Sequence, residues 1–377
     1  MRFDRSAAVL LLMTLLSGCG GGKLAGQEPA DLGSYKASAK FEVRWQYDDL
    51  NEAGRGGLQP AVTSDGVFVA SARGELLRLD RNSGKQLWAV NSGFHISGAV
   101  GAGNGLVLVG GEKGELAAYD TDGKLLWKTR VSSEVLSAPQ IADGIVVVRT
   151  GDGRITGLGA QDGKRQWLYE RATPALIVRS HAGVVIQRGA VFAGFAAGKL
   201  AAINLKNGAV IWESGVSQPR GNTELERISD ITSVPVVDDE QVCAVSFQGR
   251  AACFDIAKGV MLWSREISSD KGMTMLRKYL YVSDSNSTVL ALDKASGSSL
   301  WKNDQLFMRS TSAPYALDNH VIVGDYKGYL HALNREDGSL VARMKTDGSP
   351  ILFGPVALGD GFLVQTRDGG VYSIAIK

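Results

Sequence analysis

The chain has 377 residues, of which 44% are apolar and 47 are glycine, with 41 Lys+Arg set against 39 Asp+Glu. That near balance leaves no domain-wide basic field to hold nucleic acid, and the apolar content excludes a disordered chain; the glycine excess points to many turns. Length alone suggests two or three domains, an expectation that an internal repeat overrides.

At the N-terminus, Arg2 and Arg5 precede an apolar run from Ala7 to Leu16, and Leu16-Ser17-Gly18-Cys19 follows. A charged start, a short apolar core and a small-residue cleavage site mark an export signal over residues 1–18, too short to persist as a membrane span. The Leu-Ser-Gly-Cys tetrad resembles the lipobox of bacterial lipoproteins. The resemblance implies cleavage before Cys19, diacylglycerol on its sulfur and a third acyl chain on the freed amine. Because Gly20 rather than Asp comes next, it also implies sorting to the outer membrane. The competing reading is an ordinary signal peptide with an incidental cysteine. Residues 19–40, rich in Gly, Ala, Ser and Lys, read as a flexible lipidated tether.

Residues 114–127, "GELAAYDTDGKLLW", open the repeat. Related stretches end at Trp88, Trp167, Trp212, Trp263 and Trp301, and "GYLHALNREDGSLVA" puts Ala342 where tryptophan would stand. Trp45 holds the same register near the N-terminus, with no copy before it. Successive intervals from Trp45 to Ala342 are 43, 39, 40, 45, 51, 38 and 41 residues, the length of a four-stranded propeller blade. Each unit also carries an earlier pair of Val/Ile/Leu runs broken by turn residues, and no helical period competes. Asp120 can bond the turn backbone, Gly123 can take a positive φ, and Trp127 can seal a seam between sheets, burying on the order of 150–250 Å².

Eight early strand pairs can be counted, near Val67, Val107, Val146, Val191, Val242, Tyr281, Val321 and Phe362. The eighth unit runs out at Lys377 after three strands, and "KFEVRWQY" can supply the fourth. The expected fold is therefore all-β: an eight-bladed β-propeller over residues 41–377, its four-stranded antiparallel blades closed into a ring by the N-terminal strand. Seven blades with an accessory strand is the alternative. Cys243 and Cys253 flank a tight turn at Gln248-Gly249 and stand either as a disulfide or as two buried thiols.

The A-x-D-x-x-x-G-x-x-x-W register resembles the repeat named for pyrroloquinoline quinone (PQQ) enzymes. Repeat, lipobox and blade count together resemble the propeller lipoproteins of the outer-membrane β-barrel assembly (BAM) machine. The likeness is closest at "TELERISDITSVP" (223–235) and "VGDYKGYLHALNREDG" (323–338). It implies a non-enzymatic scaffold on the periplasmic face of the outer membrane, binding BamA and through it the rest of the complex. Direct contact with unfolded barrel precursors is a further implication.

Chemistry is sparse. A PQQ-dependent dehydrogenase would carry adjacent cysteines and pocket-building insertions, and neither is present. His95, His181, His320 and His331 show no ligand spacing, no Gly-x-Ser-x-Gly elbow exists, and no cofactor or metal is expected. "GAGNG" at 101–105 falls within a strand pair and reads as a hairpin turn. A glycan-binding propeller remains a second binding alternative.

Connectors between units are mostly short, but two consecutive ones are long: Trp167 to Gly183 and Trp212 to Pro235. The first carries an apolar run, "TPALIVRSH"; the second, "QPRGNTELERISD", is dense in charge. An apolar strip beside charge describes an interaction patch, unless residues 175–178 simply begin a buried strand. The resemblance implies that these loops dock BamA through Leu176, Val178, Arg179 and Asp230. Thr232 stands where the family has a second acid, which implies an electrostatic contact that is weaker here or moved to Glu224 or Glu226.

Overall fold

The computed structural model describes residues 28–50 and 58–377. The export signal, Cys19 and the first part of the expected tether lie outside the described residues.

The described residues form eight four-stranded antiparallel sheets. Blade 1 runs from Ala61–Val62 to Gln86–Asn91, blade 2 from Gly101–Gly103 to Leu125–Arg130, and blade 3 from Gln140–Ala142 to Arg165–Tyr169. Blade 4 spans Val184–Gln187 to Val210–Gly215, and blade 5 spans Val236–Val237 to Met261–Glu266. Blade 6 spans Gly272–Leu276 to Ser299–Asn303, and blade 7 spans Tyr315–Leu317 to Leu340–Lys345. Blade 8 joins Val356–Leu358, Gly361–Gln365 and Val371–Ile376 to the N-terminal strand Phe41–Tyr47. Neighbouring blades touch all the way round, blade 8 against blade 1 included, so the ring is closed.

Burial follows strand position. Second strands are almost wholly buried because both faces meet another sheet: all five residues of Leu106–Gly110 are buried. Fourth strands lie at the rim and alternate, exposing Leu125 and Leu126 while burying Trp127. Each blade-to-blade seam thus becomes a strip of apolar core.

The Asp–Gly turns and the tryptophans lock these seams. Asp120 Oδ1 accepts from the backbone N–H groups of Asp122 and Lys124, at 3.0 and 2.8 Å, and Gly123 has φ 84°. The preceding blade then uses the turn as a receiver. Trp88 Nε1 donates to the Thr121 carbonyl at 2.9 Å, and Trp127 Nε1 donates to the Ala160 carbonyl of blade 3 at 2.8 Å. Trp45, Trp167, Trp212, Trp263 and Trp301 do the same to Arg81, Leu205, Ile256, Lys294 and Arg335. Glycine is needed in the receiver for a second reason: a Cβ on Gly163 would sit 2.5 Å from the Trp127 ring.

The eighth seam has no such turn, because the chain ends are there. Phe41–Tyr47 pairs antiparallel with the last strand, from Phe41↔Ile376 to Tyr47↔Val371. Lys40 N–H donates to the Lys377 carbonyl at 2.8 Å and Lys377 N–H to the Lys40 carbonyl at 2.9 Å. A tryptophan at position 342 would have no receiving turn. Ala342 instead packs in a cluster with Phe41, whose ring meets Phe362 edge-on at 6.1 Å. The seven-blade alternative is excluded, since this last sheet is complete.

Two expectations are settled here. Cys243 and Cys253 lie opposite each other on strands two and three of blade 5 and are disulfide-bonded. Residues 30–40, expected as part of a flexible tether, are strapped along blades 6 and 7. Ala30 N–H donates to the Phe307 carbonyl, and Arg309 Nη1 donates back to the Ala30 carbonyl at 2.8 Å. Arg343 Nη1 donates to the Gly33 carbonyl at 3.2 Å, with its guanidinium 4.9 Å from the Tyr35 ring centroid. Composition describes the segment's own preference; two arginines on the propeller override it.

Candidate partner-docking site

Strand order places the Asp–Gly turns and tryptophans on one face, and the blade-to-blade connectors with the turns after second strands on the other. On the connector face, segments 170–183 and 216–235 stand beside each other over blades 3 to 5. The apolar run does not begin a buried strand: blade 4 starts only at Val184, and Leu176 is 42% exposed in the connector. Val178 is half-buried and the Arg179 side chain is exposed.

Asp230 joins the two connectors. Its Oδ2 accepts from Val178 N–H at 2.8 Å and its Oδ1 from Ala197 N–H at 3.0 Å. The second bond has a local cause. In blades 6 and 7 the residue after the second strand is an aspartate that caps its own turn: Asp284 accepts from Asn286 N–H, and Asp325 from Lys327 N–H. Blade 4 has Phe195 in that place, which offers no acceptor, so Asp230 reaches over from the next connector and supplies it. Asp230 is only 5% exposed. The implied contact residue is therefore a buried staple, and its charge is spent inside the site rather than offered to a partner.

Freed from capping, Phe195 becomes the floor of the sector. The Tyr169 ring lies 5.5 Å from it, and the guanidinium groups of Arg149 and Arg171 lie over it at 5.3 and 5.7 Å. Arg171 pairs with Glu213 at 3.1 Å. At the rim, Arg179 Nε and Nη2 donate to Glu134 Oε1 and Oε2 at 2.9 and 2.6 Å, a fork that fixes the side chain. The Arg179 guanidinium in turn holds the Glu134 carboxyl below its ordinary range.

Thr232 is buried at 7% exposure, and its Oγ1 has no partner. Glu226 is committed to its own loop, accepting from Asn222 and Thr223 N–H groups while Thr223 Oγ1 accepts from Glu226 N–H. Glu224 is exposed and pairs with Arg227. Sequence reasoning missed Leu225, which at 67% is the most exposed large apolar residue among the described residues. A leucine inside a run of charge was its available signal. Glu134 and Phe195 were missed too, since each acts through a contact with a distant segment.

At the axis, His181 and Phe353 meet edge-on at 5.4 Å, and the His181 Nδ1 lies 2.7 Å from the Leu136 carbonyl. They enter from the connectors before blades 4 and 8, on opposite sides of the ring, so this contact reaches across the connector-face end of the axis. Burial pushes the His181 pKa below its ordinary value. Among the described residues no three His, Cys, Asp or Glu side chains converge to hold a metal ion.

A sequence profile described as "Outer membrane protein assembly factor BamB" matches residues 72–303. The protein of that name from Nitrosomonas eutropha is 44% identical, over 98% of this chain and 94% of its own length. The crystal structure of BamB from Moraxella catarrhalis superposes with a TM-score of 0.82 at 27% identity, covering 89% of this chain and 99% of that one. Quinohemoprotein alcohol dehydrogenase from Comamonas testosteroni superposes at TM-score 0.71, covering 89% of this chain and 76% of that one. Its identity is only 13%, a likeness of fold alone. The chain belongs to the family of outer membrane protein assembly factor BamB.

Proposed function

We propose that the chain is a non-enzymatic scaffold subunit of the BAM complex, docking the periplasmic domains of BamA and assisting delivery and insertion of β-barrel proteins. The observation that carries the docking reading is the sector over blades 3 to 5. Two long connectors, stapled by Asp230, leave Leu176 exposed three residues from an Arg179 that Glu134 holds in place, and Leu225 exposed on the second connector. Apolar anchors beside a preorganised arginine are a usual hot-spot composition. Cys19 would carry the lipid anchor, holding the propeller against the outer membrane on its periplasmic side, with the strap of residues 30–40 setting which blades lie nearest. The likeness to quinone dehydrogenases supports only a shared fold, and a glycan-binding role has no site geometry in its favour.

Leu176→Asp and Arg179→Glu each abolish co-purification of BamA from solubilised outer membranes while leaving the melting temperature unchanged. Normal BamA recovery with both variants refutes the docking assignment. Reduction of a dye by the purified chain with PQQ, calcium and an alcohol would instead establish the enzymatic reading.

A further inference from the structure

Between the two long connectors lies a cleft of about 200 Å³. Four charged side chains line it, and three are already satisfied: Glu134 and Arg179 pair with each other, and both Asp230 oxygens accept backbone N–H groups. The fourth is Arg149, at the end of the second strand of blade 3, Ile145–Arg149. Its guanidinium lies over Phe195 and makes no hydrogen bond or ion pair among the described residues; Nη1 is sealed from solvent, whereas Nε and Nη2 are not. Asp230 is near enough to favour the charge without bonding to it, yet burial pushes the Arg149 pKa down to about 10. A desolvated guanidinium with empty donors costs folding free energy that an apolar side chain at this position would avoid.

We propose that Arg149 is a socket for a carboxylate side chain of the docked partner. The proposal rests on the reading of this sector as the docking site. The planar fork of arginine matches a carboxylate, and the cleft walls include Ile177, Val178 and Phe195, which suit the apolar stem of an aspartate or glutamate. The occupant is a protein group rather than a free ion because Leu176, next to Ile177 of the cleft wall, is exposed and would face water unless a protein surface covered it. Asp230 cannot fill the socket, since the turn left uncapped by Phe195 and the Val178 backbone already hold it. The same substitution that gives the connectors their staple thus leaves an arginine vacant for the partner.

The test uses the full-length chain and the periplasmic domains of BamA, comparing wild type with Arg149→Met, Arg149→Lys and Leu176→Asp. Arg149→Met melts no lower than wild type but binds roughly 10- to 100-fold more weakly, the loss expected for a charge-assisted hydrogen bond. Arg149→Lys, which keeps the charge without the fork, falls between the two. Replacing BamA surface acids by alanine one at a time identifies one whose loss weakens wild type by the same factor and leaves Arg149→Met unaffected. Wild-type affinity in both Arg149 variants, with Leu176→Asp still defective, overturns the socket. Wild-type affinity in Leu176→Asp as well overturns the docking reading beneath it. Should Arg149→Met fail to fold, Arg149→Lys decides: weaker binding supports the socket, and unchanged binding removes it.

Discussion

The tryptophan lock between blades 2 and 3 and the loop sector over blades 3 to 5 lie on opposite faces of the ring and are held by different means. In the seam, Trp127 places its ring against a turn glycine and its Nε1 on a turn carbonyl, an arrangement used at seven of the eight seams among the described residues. In the sector, a single carboxylate from one connector caps a turn of the previous blade and holds the preceding connector as well. The seams tolerate no private solutions, because every blade must fit both neighbours. The sector lies off the seams and is free to differ, and there the aspartate cap of blades 6 and 7 gives way to Phe195.

Three substitutions sharpen this contrast. The largest effect is expected for Trp127→Ala, which empties a ring-sized space in the seam and strands the Ala160 carbonyl. It should cost about 3–5 kcal/mol in denaturant unfolding, with BamA affinity per folded molecule unchanged. Next comes Ala342→Trp, which makes the repeat more regular at the one seam without a receiving turn. Overpacking against Phe41 should destabilise by about 1–3 kcal/mol; a stabilised variant would show that the missing turn is not why alanine stands there. Smallest in stability is Asp230→Ala, about 1–2 kcal/mol for the uncapped N–H groups. Its BamA binding should nonetheless fall as far as that of Leu176→Asp, because the connector loses its hold at Val178. Intact binding in Asp230→Ala would separate the staple from the docking surface.

The fold was legible because its signals are local and repeated. Each turn glycine followed four residues later by tryptophan announces a turn and a rim strand, and the spacing announces the blade. The place where the ring departs from regularity was legible too, since two long consecutive connectors must share a face. The contacts within that sector were less so. Asp230 and Leu176 are equally conspicuous as letters, but one is buried under two backbone bonds and the other faces water.

By itself, then, the amino-acid order determined eight sheets, their closure by residues 41–47 and the sector where the ring departs from regularity, because periodic burial and turn chemistry act over a few residues. Only the tertiary structure decided that Asp230 replaces the cap missing at Phe195, that Glu134 braces Arg179, that Arg149 is left without a hydrogen-bond partner among the described residues and that residues 30–40 lie strapped to Arg309 and Arg343. Those outcomes depend on which groups from distant segments arrive within hydrogen-bond reach, and no short-range pattern carries that information.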